Sequence, residues 1–304
     1  GLAGEWDLVV SAGGDGTFLK AAIDNRGGTP QLGVNTDPKR SRGRLCADFH
    51  QGFPELLRRL RAGEFKWLPR QRIEVALLST EDGKQTRRVL PQLALNEVFA
   101  GEEDPTRASI LKLKADGVGP WRQHKCSGLL INTGTGASAW AGEAGQVTET
   151  QAHAMLAALA RETSAADAKV RGIDVADTER LMDLTLKANK ELRRRWLRPW
   201  EEGMDVLVRE PILEWGTVDP EACVWEGVEE GNLADESSTP AAPPEPKWNA
   251  VHLHRAVREL ELASLGASAT LVLDGRVWVP IPRSVHAVLS VKPSNILWTF
   301  SFRP

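Results

Sequence analysis

The sequence predicts an α/β domain built on a parallel sheet, followed by a mainly antiparallel β domain of sandwich type that carries inserted helices. Three observations predict it. Residues 6–62 alternate short apolar runs with helical periodicity, the signature of a Rossmann-like plan. From Gln71 onward the pattern becomes extended runs separated by turn residues. Between 144 and 198 the helical spacing returns.

The elements follow in order. Leu8 to Val10 is an apolar run inside a strand expected at 6–11, and it empties into Gly13-Gly14-Asp15-Gly16-Thr17. Phe18-Leu-Lys-Ala-Ala-Ile23 gives a helix at 17–25, and a second strand is expected at 31–35. A helix at 53–62 has Pro54 in its first turn, apolar Phe53, Leu56, Leu57 and Leu60, and Gly63 as its stop. Extended runs then cover Arg72–Ser79, Val89–Ala100, Ser109–Lys114 and Gly128–Asn132, with turns at Glu81-Asp-Gly83 and Ala115-Asp-Gly117.

Residues 144–162 and 175–198 read as helices, the second with Leu181, Leu184, Ala188 and Leu192 on one face. Its basic end, Arg193–Arg195, complements the helix dipole and reads as a solvated terminus. Strands return at Asp205–Arg209, Leu253–Leu262, Ala269–Leu273 and Arg276–Ile281. Glu226 to Lys247 has too little apolar content to fold and is expected to be a disordered loop. The domain reading is therefore 1–68 for the α/β unit, completed by a C-terminal segment at 286–304. The β-rich domain is 69–285, with a helical insert at 144–200.

Composition narrows the function classes. With 41% hydrophobic and 26% charged residues, the 304-residue chain can bury substantial cores. A net charge of −3 gives no electrostatic case for a nucleic-acid or anionic-membrane partner, and no stretch approaches the roughly 20 apolar residues that span a bilayer. Cys46, Cys126 and Cys223 lie at no zinc-ligand spacing and fit a reducing compartment.

Gly13, Gly14 and Gly16 allow bare backbone N–H groups to approach a polyphosphate, with Thr17 opening the helix. An ordinary tight turn would show glycines too, but the carboxylate of Asp15 inside it suggests a group placed beside phosphates to handle a proton. Further along come Gly33-Val-Asn-Thr-Asp-Pro38 and Ala94-Leu-Asn-Glu-Val98. The longest segment is Ser127-Gly-Leu-Leu-Ile-Asn-Thr-Gly-Thr-Gly-Ala-Ser-Ala-Trp140.

In this order the segments resemble the NAD kinases, a match that extends to Leu273-Asp-Gly275, and Thr133-Gly-Thr-Gly136 with Trp140 after it, together with Arg209-Glu-Pro-Ile212, looks most like the divergent mitochondrial enzymes of eukaryotes. The resemblance implies transfer of the ATP γ-phosphoryl group to the 2′-hydroxyl of the adenosine ribose of NAD+, with Mg2+ accompanying ATP. It implies a catalytic Asp15 and phosphate contacts from Gly13, Gly14, Gly16 and Thr17. NAD contacts are expected from Asn96, Glu97, Thr133, Thr135, Gly136, Ser138, Ala139 and Trp140. Asn35 and Thr36 are further candidate nucleotide contacts, and the sequence names no metal ligands. Trp140 could stack on a base or anchor the core.

The family also implies a homodimer, a mitochondrial or otherwise cytoplasmic location, and a strand–helix unit ahead of the Gly-rich strand, so the first domain is expected to lack its first β-α unit. Ser127 stands where the family commonly has Asp, and Ala137 where it has Ser or Thr. Two other readings share the Gly-Gly-Asp-Gly loop. One is a lipid kinase of the diacylglycerol or sphingosine type, whose Gly-Thr-x-Asn-Asp segment this chain lacks; the other is a catalytically weak NAD-binding homologue.

Overall fold

The computed structural model describes residues 6–47, 52–81, 84–118, 120–162, 178–212 and 252–302. The loop expected at 226–247 lies outside them. The N-terminal apolar run becomes β1 (Val9–Ala12), which pairs in parallel with β2 (Gln31–Val34) across the helix α1 (Asp15–Asp24). Helix α1 begins two residues earlier than its periodicity suggested, because Gly14 takes the N-cap and Asp15 enters the first turn, where a carboxylate suits the helix dipole. Phe18 and Ala22 bury against Leu95 and Leu297. Helix α2 (Phe53–Arg61) buries Leu56 against Leu32 and Phe302.

A third strand, β3 (Lys66–Arg70), carries Pro69 and was not expected from its sequence. It sits at the sheet edge, where a missing ladder N–H costs nothing. The last strand, β16 (Leu297–Ser301), inserts between β2 and β3, so the chain's end completes the sheet order β1-β2-β16-β3.

The remainder forms two six-stranded antiparallel sheets. One runs β5 (Lys84–Ala94), β4 (Ile73–Glu81), β15 (Val285–Val291), β12 (Glu259–Ser264), β7 (Ser109–Ala115) and β8 (Arg122–Cys126). The other runs β11 (His252–Val257), β10 (Met204–Arg209), β9 (Gly128–Asn132), β6 (Glu97–Glu102), β13 (Ala269–Leu273) and β14 (Val277–Pro280). Alternate residues of both sheets share one core: Ile73, Val75 and Leu77 of β4 and Leu111 and Leu113 of β7 meet Leu129 and Ile131 of β9 and Leu271 and Leu273 of β13. Strand β15 spans the expected boundary at 285/286 and belongs to the sandwich; it is residues 297–301 that return to the first sheet.

Two expected single strands are each two. Val89–Ala100 breaks at Leu95-Asn96, where the chain leaves one sheet (β5) for the other (β6). Leu253–Leu262 breaks at Arg258, between β11 and β12. The cause is the same in both places. Asp274, in the β13–β14 turn, accepts the N–H groups of Leu95, Asn96 and Glu97; Asp116, in the β7–β8 turn, accepts those of Arg258 and Glu259. Both aspartates have positive φ (47° and 49°) and each is followed by a glycine.

The helix expected at 144–162 is α4 (Glu149–Glu162), which begins five residues later, and a short helix that was not expected, α3 (Trp140–Ala144), precedes it. Thr148 and Gln151 form a reciprocal capping box that restarts the helix: the Gln151 N–H donates to the Thr148 hydroxyl at 3.2 Å, and the Thr148 N–H to Gln151 Oε1 at 3.0 Å. Helix α5 (Thr178–Arg194) buries Thr185 and Asn189 rather than Ala188, and Asn189 holds both backbone groups of Val147.

Candidate functional site

The Gly-rich turn is shaped from both sides. Gly13 has φ 151°, and a Cβ there would lie 2.4 Å from the Thr17 hydroxyl, so only glycine fits. Its N–H donates to the Val34 carbonyl, fastening the end of β1 to the end of β2. The Asp15 carboxylate receives the backbone N–H groups of Arg44 (3.0 Å) and Leu45 (2.8 Å), which draws the segment after β2 over the turn. Two acceptor directions of a carboxylate's four are thereby used, and two stay available to a ligand. Asn35 is spent within the same segment: it donates to the Ser41 carbonyl and accepts the Asp37 N–H. Thr36 is exposed beside it. Cys46 is buried beneath, its thiol pushed up to about 11 by burial and by the charge of Asp15, which makes it an inert packing group.

Asn96 and Glu97 sit at the corner where the chain crosses between the sheets. Asp274 holds that corner at 2.7, 2.8 and 3.1 Å. Burial pushes the Asp274 carboxyl up to about 6 even against those three donors, and Glu97 is pushed to about 7 by burial and by Asp274. Asn96 Oδ1 and Glu97 Oε2 are both buried without a hydrogen-bond partner. Orphaned acceptors of this kind are costly unless a ligand supplies donors.

The Thr-Gly-Thr-Gly segment is bound tightly to that corner. The Thr133 hydroxyl is wholly internal: it donates to the Leu95 carbonyl at 2.6 Å and accepts the N–H groups of Thr135 and Gly136. Thr133 therefore serves the site through the backbone it organises, not by offering its hydroxyl to a dinucleotide. Gly136 and Gly134 permit close backbone approach, since a Cβ would come 2.1 Å from the Asn96 carbonyl oxygen or 2.0 Å from that of Arg198. Thr135 is buried as well, and its hydroxyl accepts from the Arg70 guanidinium at 3.3 Å. Ser138 is exposed, and its carbonyl accepts from the Arg44 guanidinium. Ala139 lies half-buried next to it.

Trp140 is neither a free stacking platform nor a core residue. Its ring stacks on Phe99 at 5.4 Å, and the Arg209 guanidinium lies 4.9 Å from its centroid, while 42% of the residue stays exposed. Next to Arg209, Glu210 accepts the Ser127 hydroxyl, so a carboxylate stands beside the position where the resemblance led to Asp. No feature of the structure explains Ala137.

Sequence reasoning missed three contributors. Arg70 is buried between Thr135 and Thr299, and burial depresses its guanidinium to about 10, partly countered by Asp15. Asp274 stands in the Leu273-Asp-Gly275 segment of the resemblance, which gave it no role of its own. Arg276, in the same turn, donates to the Gly16 carbonyl at 2.6 Å, so one turn touches both the Gly-rich loop and the Asn96–Glu97 corner. Among the described residues no group of three His, Cys, Asp or Glu side chains is placed to hold a metal ion. No helix among them is long and apolar enough to cross a membrane.

No protein-family model matches the chain. Curated relatives do. It is 34% identical over 250 residues to NAD kinase 2, mitochondrial, of Rattus norvegicus, covering 70% of this chain and 54% of that protein. It is 40% identical over 170 residues to NAD kinase 2, mitochondrial, of Homo sapiens, covering 44% and 38%. With the NAD kinase of Acidithiobacillus ferrooxidans it shares 31% identity over 226 residues, covering 71% of each chain. The chain spans about half the length of the rat relative. Among solved structures, yeast NADH kinase complexed with NADH matches at a TM-score of 0.55 and 14% identity, over 98% of this chain and 61% of that one. An NAD kinase from Archaeoglobus fulgidus in complex with ATP matches at 0.53 and 17%, over 98% and 78%. These two establish likeness of fold.

Proposed function

This chain belongs to the NAD kinase family, and from that premise we propose that it transfers the γ-phosphoryl group of ATP to the 2′-hydroxyl of the adenosine ribose of NAD+, yielding NADP+. The observation that carries the reading is the pair of buried, partnerless acceptors, Asn96 Oδ1 and Glu97 Oε2, which suit the hydroxyl donors of a ribose. In the proposed reaction Asp15 accepts the proton of the 2′-hydroxyl. The ribose oxygen forms the new bond to the γ-phosphorus, the bridging bond to ADP breaks, and its electron pair leaves with ADP. Gly14 and Gly16 approach the donor's phosphates with backbone N–H groups at the start of α1, while Gly13 and Thr17, whose N–H groups are held by the Val34 and Gly14 carbonyls, shape the turn around them.

Mg2+ enters as part of the substrate, bound to the nucleotide's phosphates; the described residues offer no cage for it, and no step is assigned to a protein-held metal. The mitochondrial names of several relatives support a mitochondrial location, and a homodimer is proposed from the family; light scattering of the purified chain tests the latter. The lipid-kinase alternative is not favoured, since the matched relatives are NAD and NADH kinases.

The test is NADP+ formation from NAD+ and Mg-ATP, read with an NADP-specific dehydrogenase, for the wild-type chain and Asp15→Asn. Turnover in the first and its loss in the second, with NAD binding and circular dichroism retained, is the expected result. NAD binding without turnover in either chain identifies a non-catalytic homologue and refutes the proposal.

A further inference from the structure

The helical insert contributes to a cavity that borders the site described above and shares Arg44 and Ser138 with it. It measures about 440 Å3 and is lined by Arg44, Ser138, Glu143, Arg193 and Trp196. Three separated parts of the chain meet there: the segment following β2, the Thr-Gly-Thr-Gly segment with α3, and the end of α5 with the turn after it. The size suits part of a nucleotide.

Its charge is the informative property. Arg44 spends one donor on the Ser138 carbonyl, which leaves most of its five N–H groups. Arg193 lies with its guanidinium carbon 5.9 Å from the centroid of the Trp196 ring. Among the described residues neither arginine forms an ion pair. The single carboxylate of the lining, Glu143, is engaged by Gln146 at 2.8 Å. Two guanidinium groups against one carboxylate leave net positive charge in a concave site, and planar guanidinium forks match the oxygens of phosphate. The Trp196 wall is fixed by packing on α3, where a Cβ on Gly142 would come 2.7 Å from its ring.

The cavity is tied to the Gly-rich turn through one residue. The residue whose side chain lines it, Arg44, donates its backbone N–H to the Asp15 carboxylate. Asn96 and Glu97, which suit the acceptor's ribose, are not among the lining residues; of the NAD contacts that the resemblance implies, Ser138 is, and its carbonyl is held by Arg44. We propose that this cavity binds the polyphosphate of the phosphoryl donor, a nucleoside triphosphate, with Arg44 and Arg193 on its oxygens and Trp196 as its wall. The basic end of α5, which by sequence is a solvated terminus, thus becomes a ligand-binding element. Naming the donor rests on the kinase reading; polyphosphate binding does not.

The test compares wild type, Arg193→Gln and Arg193→Lys in two assays. Steady-state kinetics are expected to show the KM for Mg-ATP raised about tenfold in Arg193→Gln, equivalent to about 1.4 kcal/mol, less in Arg193→Lys, and the KM for NAD+ changed less than about twofold in both. Calorimetry with inorganic tripolyphosphate should show binding to wild type weakened by a similar factor in Arg193→Gln. An unmoved KM for ATP overturns the proposal, as does a KM for NAD+ that rises in step, which would make the cavity an acceptor subsite. If the wild-type chain makes no NADP+, the kinase reading fails separately. Tripolyphosphate then decides alone: binding lost in Arg193→Gln sustains the cavity, and no binding to wild type overturns it.

Discussion

Replacing Asp274 by asparagine should loosen the Asn96–Glu97 corner without touching the phosphate loop's own residues. The carboxylate accepts three N–H groups, Leu95 on Oδ2 and Asn96 and Glu97 on Oδ1. Asparagine keeps one oxygen, so its best placement retains the two bonds on Oδ1 and turns an amide NH2 toward the Leu95 N–H. One buried donor is left unsatisfied, which costs about 1–3 kcal/mol. Part of that is returned, because Asp274 no longer repels Glu97. For a chain of this size each kcal/mol moves the melting temperature by roughly 2 °C, so the expected fall is roughly 2–6 °C. Measurement at about pH 8, above both carboxyls, keeps their charge states defined. The kinetic signature is a raised KM for NAD+ with the KM for ATP held, since the corner carries the ribose acceptors and not the Gly-rich turn. An unchanged melting temperature together with an unchanged KM for NAD+ would refute the claim that Asp274 holds this corner.

Other outcomes follow from the same geometry. Glu97 and Asp205 are each pushed up to about 7 and Asp274 to about 6, all chiefly by burial. Their protonated forms favour the fold, so this part of the stability is complete below about pH 4 and is lost as pH rises through 6 to 7. Thermal melts should therefore show a component that declines between about pH 4 and pH 7, and Glu97→Gln should flatten it. Gly136→Ala places a Cβ 2.1 Å from the Asn96 carbonyl oxygen, a backbone atom that cannot swing aside. It should lower stability by about 1–3 kcal/mol or more and disturb NAD binding, whereas Gly117→Ala, with open space around it, should show only the strain of its positive φ.

What was legible in the sequence, and what was not, divides along a physical line. Local pattern is carried by neighbours in the chain, so the βαβα alternation, the sandwich strands such as Ala269–Leu273 and Gly128–Asn132, and the glycine turns were readable. The places where strands change sheets were not. Val89–Ala100 is a continuous extended run to any local measure; it breaks because Asp274, nearly 180 residues away, takes three of its N–H groups out of the ladder. Strand β3 was hidden by Pro69, which is tolerated only because nothing pairs on that side.

The same division runs through the candidate site. Asp15, Asn96 and Glu97 were legible as motif residues, but what makes Glu97 unusual is burial beside Asp274, which no local pattern encodes. Arg70 reads as an ordinary polar residue beside a proline, yet it lies beneath Thr135 with two hydroxyls as partners, and burial lowers its pKa with Asp15 offsetting part of the fall. Conversely, the Thr-Gly-Thr-Gly segment is legible as a motif, but its pattern does not tell a ligand contact from a packing constraint. Gly134 and Gly136 are small because two other backbones run against them, and the Thr133 hydroxyl ties three peptide groups together. A motif marks where the chain cannot change; the packing around it decides whether the constraint comes from a ligand or from the fold, and in this segment the fold accounts for Thr133, Gly134 and Gly136.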